Sequence, residues 1–343
     1  MTKNNSELGE FSFIEKITEN FEIKNSESLL GIGDDSAIIE SSKLYTLVSK
    51  DLLVEGIHFD LSYTPLMHLG YKSVIVNLSD IYAMNGMPKQ IVIGIAISNR
   101  FKLDAIQELY KGIKLACEKY KIDLVGGDTT TSQSGLTISI TALGQVKKEK
   151  VVKRSGAKKN DLIVVTGDLG AAYLGLQILR REKEIFLENP DVQPKLEGYD
   201  YILQRQLKPE APKKYFEILN EIGITPTSMI DISDGLSSEL LHISKSSKVS
   251  VKIYEDKIPI DYTVMNKAAE LNLNPIFCAL NGGEDYELLF TTSKKNLKKI
   301  QQSDYLSVIG TCVNKKNDNC MITSLGQKIN INSSGWDSFS INN

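Results

Sequence analysis

The chain has 343 residues, more than a single hydrophobic core usually serves, so its length predicts two domains. Hydrophobic residues make up 41% of it and charged residues 24%, which is typical of a globular protein and excludes global disorder and fibrous classes. The 40 lysines and arginines against 43 aspartates and glutamates give a formal net charge of −3. That balance argues against a general nucleic-acid-binding surface and favours a small ligand.

The first half of the chain alternates predicted strands and helices, which indicates an α/β module. In chain order these are strand 44–49, helix 65–84, strand 91–98, helix 103–120 and strand 136–146. The stretch 147–159 is basic and polar and separates this module from a second series. We therefore predict a boundary near residue 148, with domains 1–148 and 149–343.

The second half is also predicted to be α/β. Residues 181–193 are charged and interrupted by a proline, so we expect a surface excursion there. The predicted elements are strand 162–166, helices 169–180, 201–206 and 213–222, strand 229–232, helix 236–245, strand 249–254, helix 262–271, strand 286–291 and an extended carboxy-terminal part.

The sequence lacks the signals of a secreted or membrane protein, so we expect a cytoplasmic location. Residues 1–10 are polar and lack the pattern of a signal peptide, and apolar runs such as 91–97 are too short to span a bilayer. We interpret the cysteines, which form no CxxC pair, as reduced core thiols. They are Cys117, Cys278, Cys312 and Cys320.

Carboxylates at the ends of predicted elements are the most informative feature, because most of them lie beside glycines. If several converge, they repel one another more strongly as water is excluded, so they need a cation or shifted pKa values. Magnesium fits because it prefers hard oxygen ligands and bridges carboxylates to phosphates, whereas the histidines His58, His68 and His242 form no zinc-like cluster. The acids are Asp34, Asp35, Asp51, Asp80, Asp128, Asp231, Asp234, Glu284 and Asp285.

Single motifs leave structural alternatives open. Asp234-Gly235 before an apolar helix is also typical of a helix N-cap, and Gly126-Gly-Asp128 is also typical of a tight turn. Gly31-Ile-Gly-Asp-Asp35 lacks the third glycine of the dinucleotide fingerprint, and the chain has no P-loop, protein-kinase motif set or GxSxG elbow. The sequence therefore predicts an acid-rich, metal-dependent site of another design.

Seven segments resemble, in order, those of the thiamine-monophosphate kinase family. The match runs from about residue 9 to residue 339, and seven segments in the right order and spacing make it specific. The family shares its architecture with aminoimidazole ribonucleotide synthetase, selenophosphate synthetase and hydrogenase-maturation proteins. The segments are Gly31-Ile-Gly-Asp-Asp-Ser-Ala37, Val48-Ser-Lys-Asp51 with His58-Phe59, Asn77-Leu-Ser-Asp80, Gly126-Gly-Asp-Thr129, Arg154-Ser-Gly-Ala157, Asp231-Ile-Ser-Asp-Gly235 and Gly282-Gly-Glu-Asp-Tyr-Glu287.

The resemblance implies an α/β (α+β) aminoimidazole ribonucleotide synthetase-like fold of two domains, the first binding ATP and pairing in a homodimer. It implies ATP-dependent phosphorylation of thiamine monophosphate to thiamine diphosphate by direct transfer with a magnesium cluster, and no nucleic-acid or membrane partner. The implied metal ligands are Asp35, Ser49, Lys50, Asp51, Asp80, Asp128, Asp231 and Asp234; the ATP contacts are Tyr110, Gly127, Asp128, Arg154 and Ser233; the substrate contacts are His58, Glu284 and Trp336.

Several alternatives stay open at this level. Lys50 stands where many relatives have threonine, which is harmless if that residue binds metal through its carbonyl and alters one site if it binds through its hydroxyl. Arg154 could also be an exposed arginine in a basic linker. His58 could be a packed or exposed histidine without a function, and Trp336 could be a packing residue. A related synthetase that activates an amide or selenide, or a nucleotide-binding regulator without turnover, would share the acid-rich site.

Overall fold

The computed structural model describes residues 14, 18, 24–41 and 43–332. Strands β1 to β6 form a six-stranded sheet in the order β1-β2-β3-β6-β4-β5. Its neighbours are antiparallel except β4 and β5, which run parallel. The bounds are Ser28–Leu30 (β1), Ala37–Glu40 (β2), Leu44–Val54 (β3), Met87–Ile97 (β4), Asp123–Thr131 (β5) and Leu136–Lys147 (β6).

The strands after Lys147 form a second, seven-stranded sheet in the order β13-β12-β9-β11-β7-β10-β8. It is antiparallel except between β9 and β12. The boundary that we predicted at residue 148 stays a prediction. The bounds are Leu162–Thr166 (β7), Ser228–Asp231 (β8), Ser250–Tyr254 (β9), Leu288–Thr292 (β10), Leu306–Val313 (β11), Cys320–Ile322 (β12) and Lys328–Asn330 (β13).

Helices connect the strands of both sheets, so the predicted mixed α/β class is confirmed. Among the described residues, none of these helices is both long and apolar enough to cross a membrane. The bounds are Leu66–Ala83 (α1), Leu103–Tyr120 (α2), Ala171–Glu188 (α3), Asp200–Leu207 (α4), Lys213–Glu221 (α5), Leu236–Ser247 (α6), Tyr262–Glu270 (α7), Pro275–Asn281 (α8) and Leu297–Ile300 (α9).

Helix α1 is buried on nearly all sides and lies between the two sheets. It packs on β3, β4 and β6 of the first sheet, on α2, and also on β8 and α4 of the second half. Its close approach to α2 requires two glycines: a Cβ at Gly70 would clash with the backbone oxygen of Leu109, and one at Gly112 would clash with that of Met67. Side chains on α1 can therefore reach ligands held by either half of the chain.

Two local expectations were wrong, and one open alternative is decided. Helix α3 continues to Glu188, because the charged segment after Arg180 consists of good helix formers and Glu182 turns inward, where it accepts hydrogen bonds from Arg181 and the Lys195 N–H. Residues 126–128 lie in strand β5, which decides against the tight turn that the sequence left open as an alternative. Strand β10 begins later than expected, because Tyr286 has a left-handed backbone, with φ 52°.

Helix α8 was missed, although its start signal is present in the sequence. The Asn274 side chain accepts the N–H groups of Ile276 at 2.8 Å and Phe277 at 3.4 Å, and Pro275 occupies the first turn. An asparagine N-cap followed by proline is typical of a helix N-terminus. The helix is short, and its sequence lacks a polar face that periodicity could detect.

Candidate active site

Three carboxylates from distant parts of the chain converge between the two sheets. Asp35 lies in the turn between β1 and β2, Asp80 lies near the end of α1, and Asp231 ends β8. One carboxylate oxygen from each lies within 4.8 Å of the others, and Asp35 and Asp231 are buried while Asp80 is partly exposed. We call these three residues the acid cluster.

Burial raises the pKa of every carboxyl group in the acid cluster. Burial raises the pKa of Asp35 to about 8, with Arg154 opposing this effect and Asp231 adding to it. Burial raises the pKa of Asp80 well above its usual range, and the neighbouring carboxylates Asp51, Asp231 and Asp35 raise it further. Burial also raises the pKa of Asp231.

Two oxygens at the acid cluster have no protein partner. Within the described residues, Asp35 Oδ2 and Asp51 Oδ2 are buried and accept no hydrogen bond. An unpaired buried carboxylate oxygen is costly, and several of them beside one another favour a divalent cation. The donor set is all oxygen, which fits magnesium and excludes a zinc-like site.

Strand β3 places two residues beside the acid cluster and points the side chain of a third away from it. Ser49 Oγ donates to Asp80, and the Asp51 N–H donates to Asn77 Oδ1 at 3.1 Å. Burial raises the pKa of Asp51 to about 7. Lys50, between them, is exposed and donates to Ser139 on the neighbouring strand, so only its backbone carbonyl is available on the acidic side.

The last turns of α1 explain why the segment Asn77-Leu-Ser-Asp80 belongs to the site. Asn77 fixes the backbone at Asp51, Ser79 Oγ donates to Asp231 Oδ2 at 2.6 Å, and Asp80 joins the acid cluster. Our sequence analysis named only Asp80. The signal for the other two was their place in the same four-residue motif.

Arg154 follows β6 and reaches the acid cluster. Its Nη2 and Nε donate to Asp35 Oδ1 at 2.6 and 3.0 Å, and its backbone N–H donates to Asp34 Oδ1 at 3.2 Å. Only 17% of the arginine side chain is exposed, so Arg154 is not an exposed linker arginine. Our sequence analysis named Asp34 among the acids but not among the site residues. Its carboxylate accepts the backbone N–H of Arg154 and so helps to fix this arginine.

The turn after β8 carries Ser233 and Asp234 and is held by a buried glutamate that our sequence analysis missed. Glu239 Oε1 accepts the N–H of Ser233 at 3.1 Å and the N–H of Asp234 at 2.8 Å. Burial raises the pKa of Glu239 well above its usual range, and Asp234 raises it further. The Glu239 side chain therefore fixes the backbone of this turn directly after the Asp231 strand end.

Three expected ATP contacts meet at the edge of the first sheet. Tyr110 of α2 and Gly127 and Asp128 of β5 line a cavity of about 380 Å³. Strand β5 pairs with β4, β4 with β6, and β6 with β3. Three interstrand spacings of about 4.8 Å thus separate Asp128 from the strand that carries Ser49 and Asp51. Asp128 lies apart from the acid cluster.

Glu284 pairs with α1 about two turns before Asp80 and joins the two halves of the chain. Its Oε1 pairs with Lys72 Nζ of α1 at 2.8 Å, and its Oε2 accepts from Gln206 Nε2 of α4 at 2.8 Å. Glu284 has a left-handed backbone, with φ 60°. This conformation is rare for a residue with a side chain and is concentrated at functional sites.

His58 lies at the same place. It lines a cavity of about 20 Å³ together with Lys72 and Gln206, the two partners of Glu284. The Val54 N–H donates to His58 Nδ1 at 3.0 Å, so the neutral ring carries its proton on Nε2. A cavity of this size holds one water, so a heterocycle requires the side chains to rearrange. Trp336 lies outside the described residues.

Comparison with known proteins assigns this arrangement to a family. Residues 33–146 match the family described as AIR synthase related protein, N-terminal domain. The thiamine-monophosphate kinase of Buchnera aphidicola subsp. Schizaphis graminum is 39% identical over 312 residues, which cover 90% of each chain. The chain belongs to the thiamine-monophosphate kinase family. The Bacillus subtilis thiamine-monophosphate kinase is 34% identical over 296 residues, 86% of this chain and 87% of that one.

A solved structure of the thiamine-monophosphate kinase family has the same fold. AaThiL complexed with AMPPCP and TMP superposes with a TM-score of 0.83 at 30% identity, covering 98% of this chain and 99% of that chain. The family resemblance, the enzyme class and the aminoimidazole ribonucleotide synthetase-like fold that we expected from the motifs are confirmed.

The charge in the acid cluster predicts how metal removal affects stability. With chelator present, the folded protein binds protons at Asp35 and Asp51 up to pH about 8 and about 7, whereas unfolded aspartates release theirs near pH ~3.9. A raised carboxyl pKa gives stability that is lost as pH rises. We therefore expect the melting temperature of the metal-free protein to fall from pH 5 to pH 8.

The measurement is a thermal melt at several pH values, with chelator or with Mg²⁺ at matched ionic strength. Because a bound cation favours the ionised carboxylates, Mg²⁺ should raise the melting temperature most at pH 8 and flatten the pH dependence. A melting temperature that depends on neither pH nor Mg²⁺ would contradict a metal site at the acid cluster.

Proposed function

We propose that this chain phosphorylates thiamine monophosphate to thiamine diphosphate, with ATP as the donor and Mg²⁺ as the cofactor. The observation that carries the proposal is the acid cluster with its unpartnered oxygens, in a chain whose relatives are thiamine-monophosphate kinases. AaThiL, a structural relative, binds AMPPCP and TMP. Mg²⁺ suits both the phosphate groups of the two substrates and a donor set made only of oxygen atoms.

The residues around the acid cluster suit magnesium. Asp35, Asp51, Asp80 and Asp231 would hold it, and bound Mg²⁺ would offset the charge of the phosphate groups. Further ligands in this proposal, taken over from the family motifs, are Ser49, the Lys50 carbonyl and Asp234. Asp128, which lies three strands away in the first sheet, would hold another ion of the proposed magnesium cluster.

The chain's own contribution is to bind and orient the two substrates. Phosphoryl transfer needs little covalent help from the protein, so we infer direct in-line transfer without a phospho-enzyme. The Arg154 guanidinium, fixed by Asp35, offers a planar fork for phosphate oxygens. Tyr110, Gly127, Asp128 and Ser233 are the further proposed ATP contacts, and His58 and Glu284, with Trp336, are the proposed contacts to the organic part of thiamine monophosphate.

A coupled assay of ADP release tests this function and separates it from the two alternatives. The enzyme should release ADP with thiamine monophosphate as the sole acceptor, and far less with unphosphorylated thiamine. A synthetase would need its own amide or selenide substrate before ADP forms. A regulator would bind ATP without turnover, and either result would contradict the kinase.

We also propose that the protein is a homodimer, paired through the first sheet. Helix α1 packs on one face of that sheet and α2 packs on α1, while the other face presents apolar side chains such as Leu52, which is 52% exposed. The edge strand β5 adds Val125, which is 58% exposed. A second copy of the same sheet would cover these surfaces.

Sedimentation gives the test: at micromolar concentration and physiological salt, we expect twice the chain mass of 38.1 kDa. The substitution Leu52→Glu should shift the protein towards the monomer, because it places a charge in the proposed contact. A wild-type monomer would contradict the homodimer. The cytoplasmic location stays a prediction.

A further inference from the structure

Lys72 is a buried lysine on α1 for which neither the sequence motifs nor the proposed function gives a role. Its side chain is 4% exposed. The Nζ atom lies 2.8 Å from Glu284 Oε1 and donates to the Gln206 backbone oxygen at 3.0 Å. Burying an ammonium group costs free energy unless such partners are present, so these two acceptors fix the position of the Lys72 Nζ atom.

Glu284 is held from two directions by these contacts. Lys72, from the first half of the chain, takes one carboxylate oxygen, and Gln206 Nε2, from α4, takes the other at 2.8 Å. Each carboxylate oxygen can accept a further hydrogen bond, and 28% of the Glu284 side chain remains exposed. The carboxylate is thus fixed in orientation but can still accept a hydrogen bond from a ligand.

Lys72 also faces the small cavity that His58 lines. The lysine is therefore part of the wall next to the two proposed substrate contacts, while its charge is balanced by only one of them.

We propose that Lys72 is a positioning residue that fixes the Glu284 carboxylate for an amino-bearing heterocyclic substrate. This inference rests on the proposed function, because it assigns the organic part of thiamine monophosphate to Glu284. Lys72 acts through Glu284, so its removal matters only while Glu284 is present. Specificity for the acceptor should depend on this pair, and ATP binding should not.

A double-mutant cycle separates this role from a structural one. Lys72→Met and Glu284→Gln should each raise the Kd and KM for thiamine monophosphate roughly 10-fold, the size of one lost charge-assisted hydrogen bond. The double variant should be no worse than Glu284→Gln alone. In all three, the KM for ATP and the kcat at saturation should stay within about 3-fold of wild type.

Lys119→Met is the control for losing a lysine–glutamate pair elsewhere between the two halves of the chain. Lys119 Nζ of α2 pairs with Glu210 Oε1 at 2.7 Å, so it also joins the two halves of the chain through a lysine–glutamate pair, away from Glu284. We expect its kinetics to match wild type. If Lys72→Met does not fold, Lys72→Arg keeps the charge but moves it, and should give the same pattern with a smaller rise in KM.

Calorimetric titration with thiamine monophosphate in the presence of AMPPCP measures the Kd of each variant, and so gives the same double-mutant cycle without turnover. Wild-type protein that binds thiamine monophosphate but releases no ADP would overturn the proposed function and leave the cycle readable. The role of Lys72 would be overturned if the rise in KM of the double variant were the product of the rises in the two single variants. It would also be overturned if the variants lost ATP affinity equally, or if Lys119→Met raised the KM for thiamine monophosphate as much as Lys72→Met. So would wild-type protein that binds no thiamine monophosphate.

Discussion

Asp80→Asn should lower kcat/KM by roughly 10²–10³-fold, while the fold stays intact. Asp80 contributes one of the three carboxylates that lie within 4.8 Å of one another, so its charge is part of what holds the cation. Burial and the neighbouring carboxylates already favour its neutral form without metal, because they raise its pKa well above the usual range. Asparagine resembles that neutral form, and its side-chain oxygen can still accept from Ser49.

The metal-free melting temperature of Asp80→Asn should therefore equal or exceed that of wild type, while the rise produced by Mg²⁺ should shrink. Glu182→Gln is the opposite control: Glu182 is a buried carboxylate of α3 that accepts from Arg181 and the Lys195 N–H, far along the chain from the acid cluster. It should lower the melting temperature and leave kcat/KM unchanged. Turnover near wild type in Asp80→Asn would remove Asp80 from the metal site.

Gly283→Ala should reduce kcat/KM by roughly 10²-fold, because it displaces the turn that carries the proposed ATP contact Ser233. Gly283 has φ 71°, and a Cβ there would clash with the Ser233 carbonyl oxygen and lie 3.1 Å from Asp234 Cα. The same carbonyl accepts the Glu284 N–H at 2.7 Å. One added methyl group thus disturbs both substrate sites, so the KM for ATP and for thiamine monophosphate should rise together.

Gly326→Ala is the matched control for backbone strain. Gly326 has φ 79°, and nothing lies within 4 Å of the position of an added Cβ. It should cost the ~1–2 kcal/mol of a left-handed alanine without changing either KM. Equal kinetic effects in the two variants would mean that strain alone, rather than the clash with Ser233, explains the loss at Gly283.

Elements with a strong local pattern could be predicted from the sequence. Helix α2 and strand β7 have the expected bounds, since α2 has a clear helical period and β7 is a short, mostly apolar run. Asp35, Asp80 and Asp231 converge because each lies at or near the end of an element, and these ends meet where α1 passes between the sheets.

Long-range strand order was out of reach of local patterns. Nothing in the residues around Asp128 reveals that β5 pairs in parallel with the far side of β4 and so carries Asp128 away from the acid cluster. Lys72 did leave a signal, because it is the one charge in the predicted helix before Asp80. Its partner could not be found from the sequence, since the left-handed backbone of Glu284 depends on packing against Ser233.

The most direct test of the central claim follows the phosphoryl group itself. ATP that is radiolabelled in its γ-phosphoryl group is incubated with the protein, Mg²⁺ and thiamine monophosphate, and the products are separated by chromatography. Our account predicts that the label appears in thiamine diphosphate, one phosphoryl group for each ADP formed. Label found only in inorganic phosphate, with thiamine monophosphate unconsumed, would contradict the account.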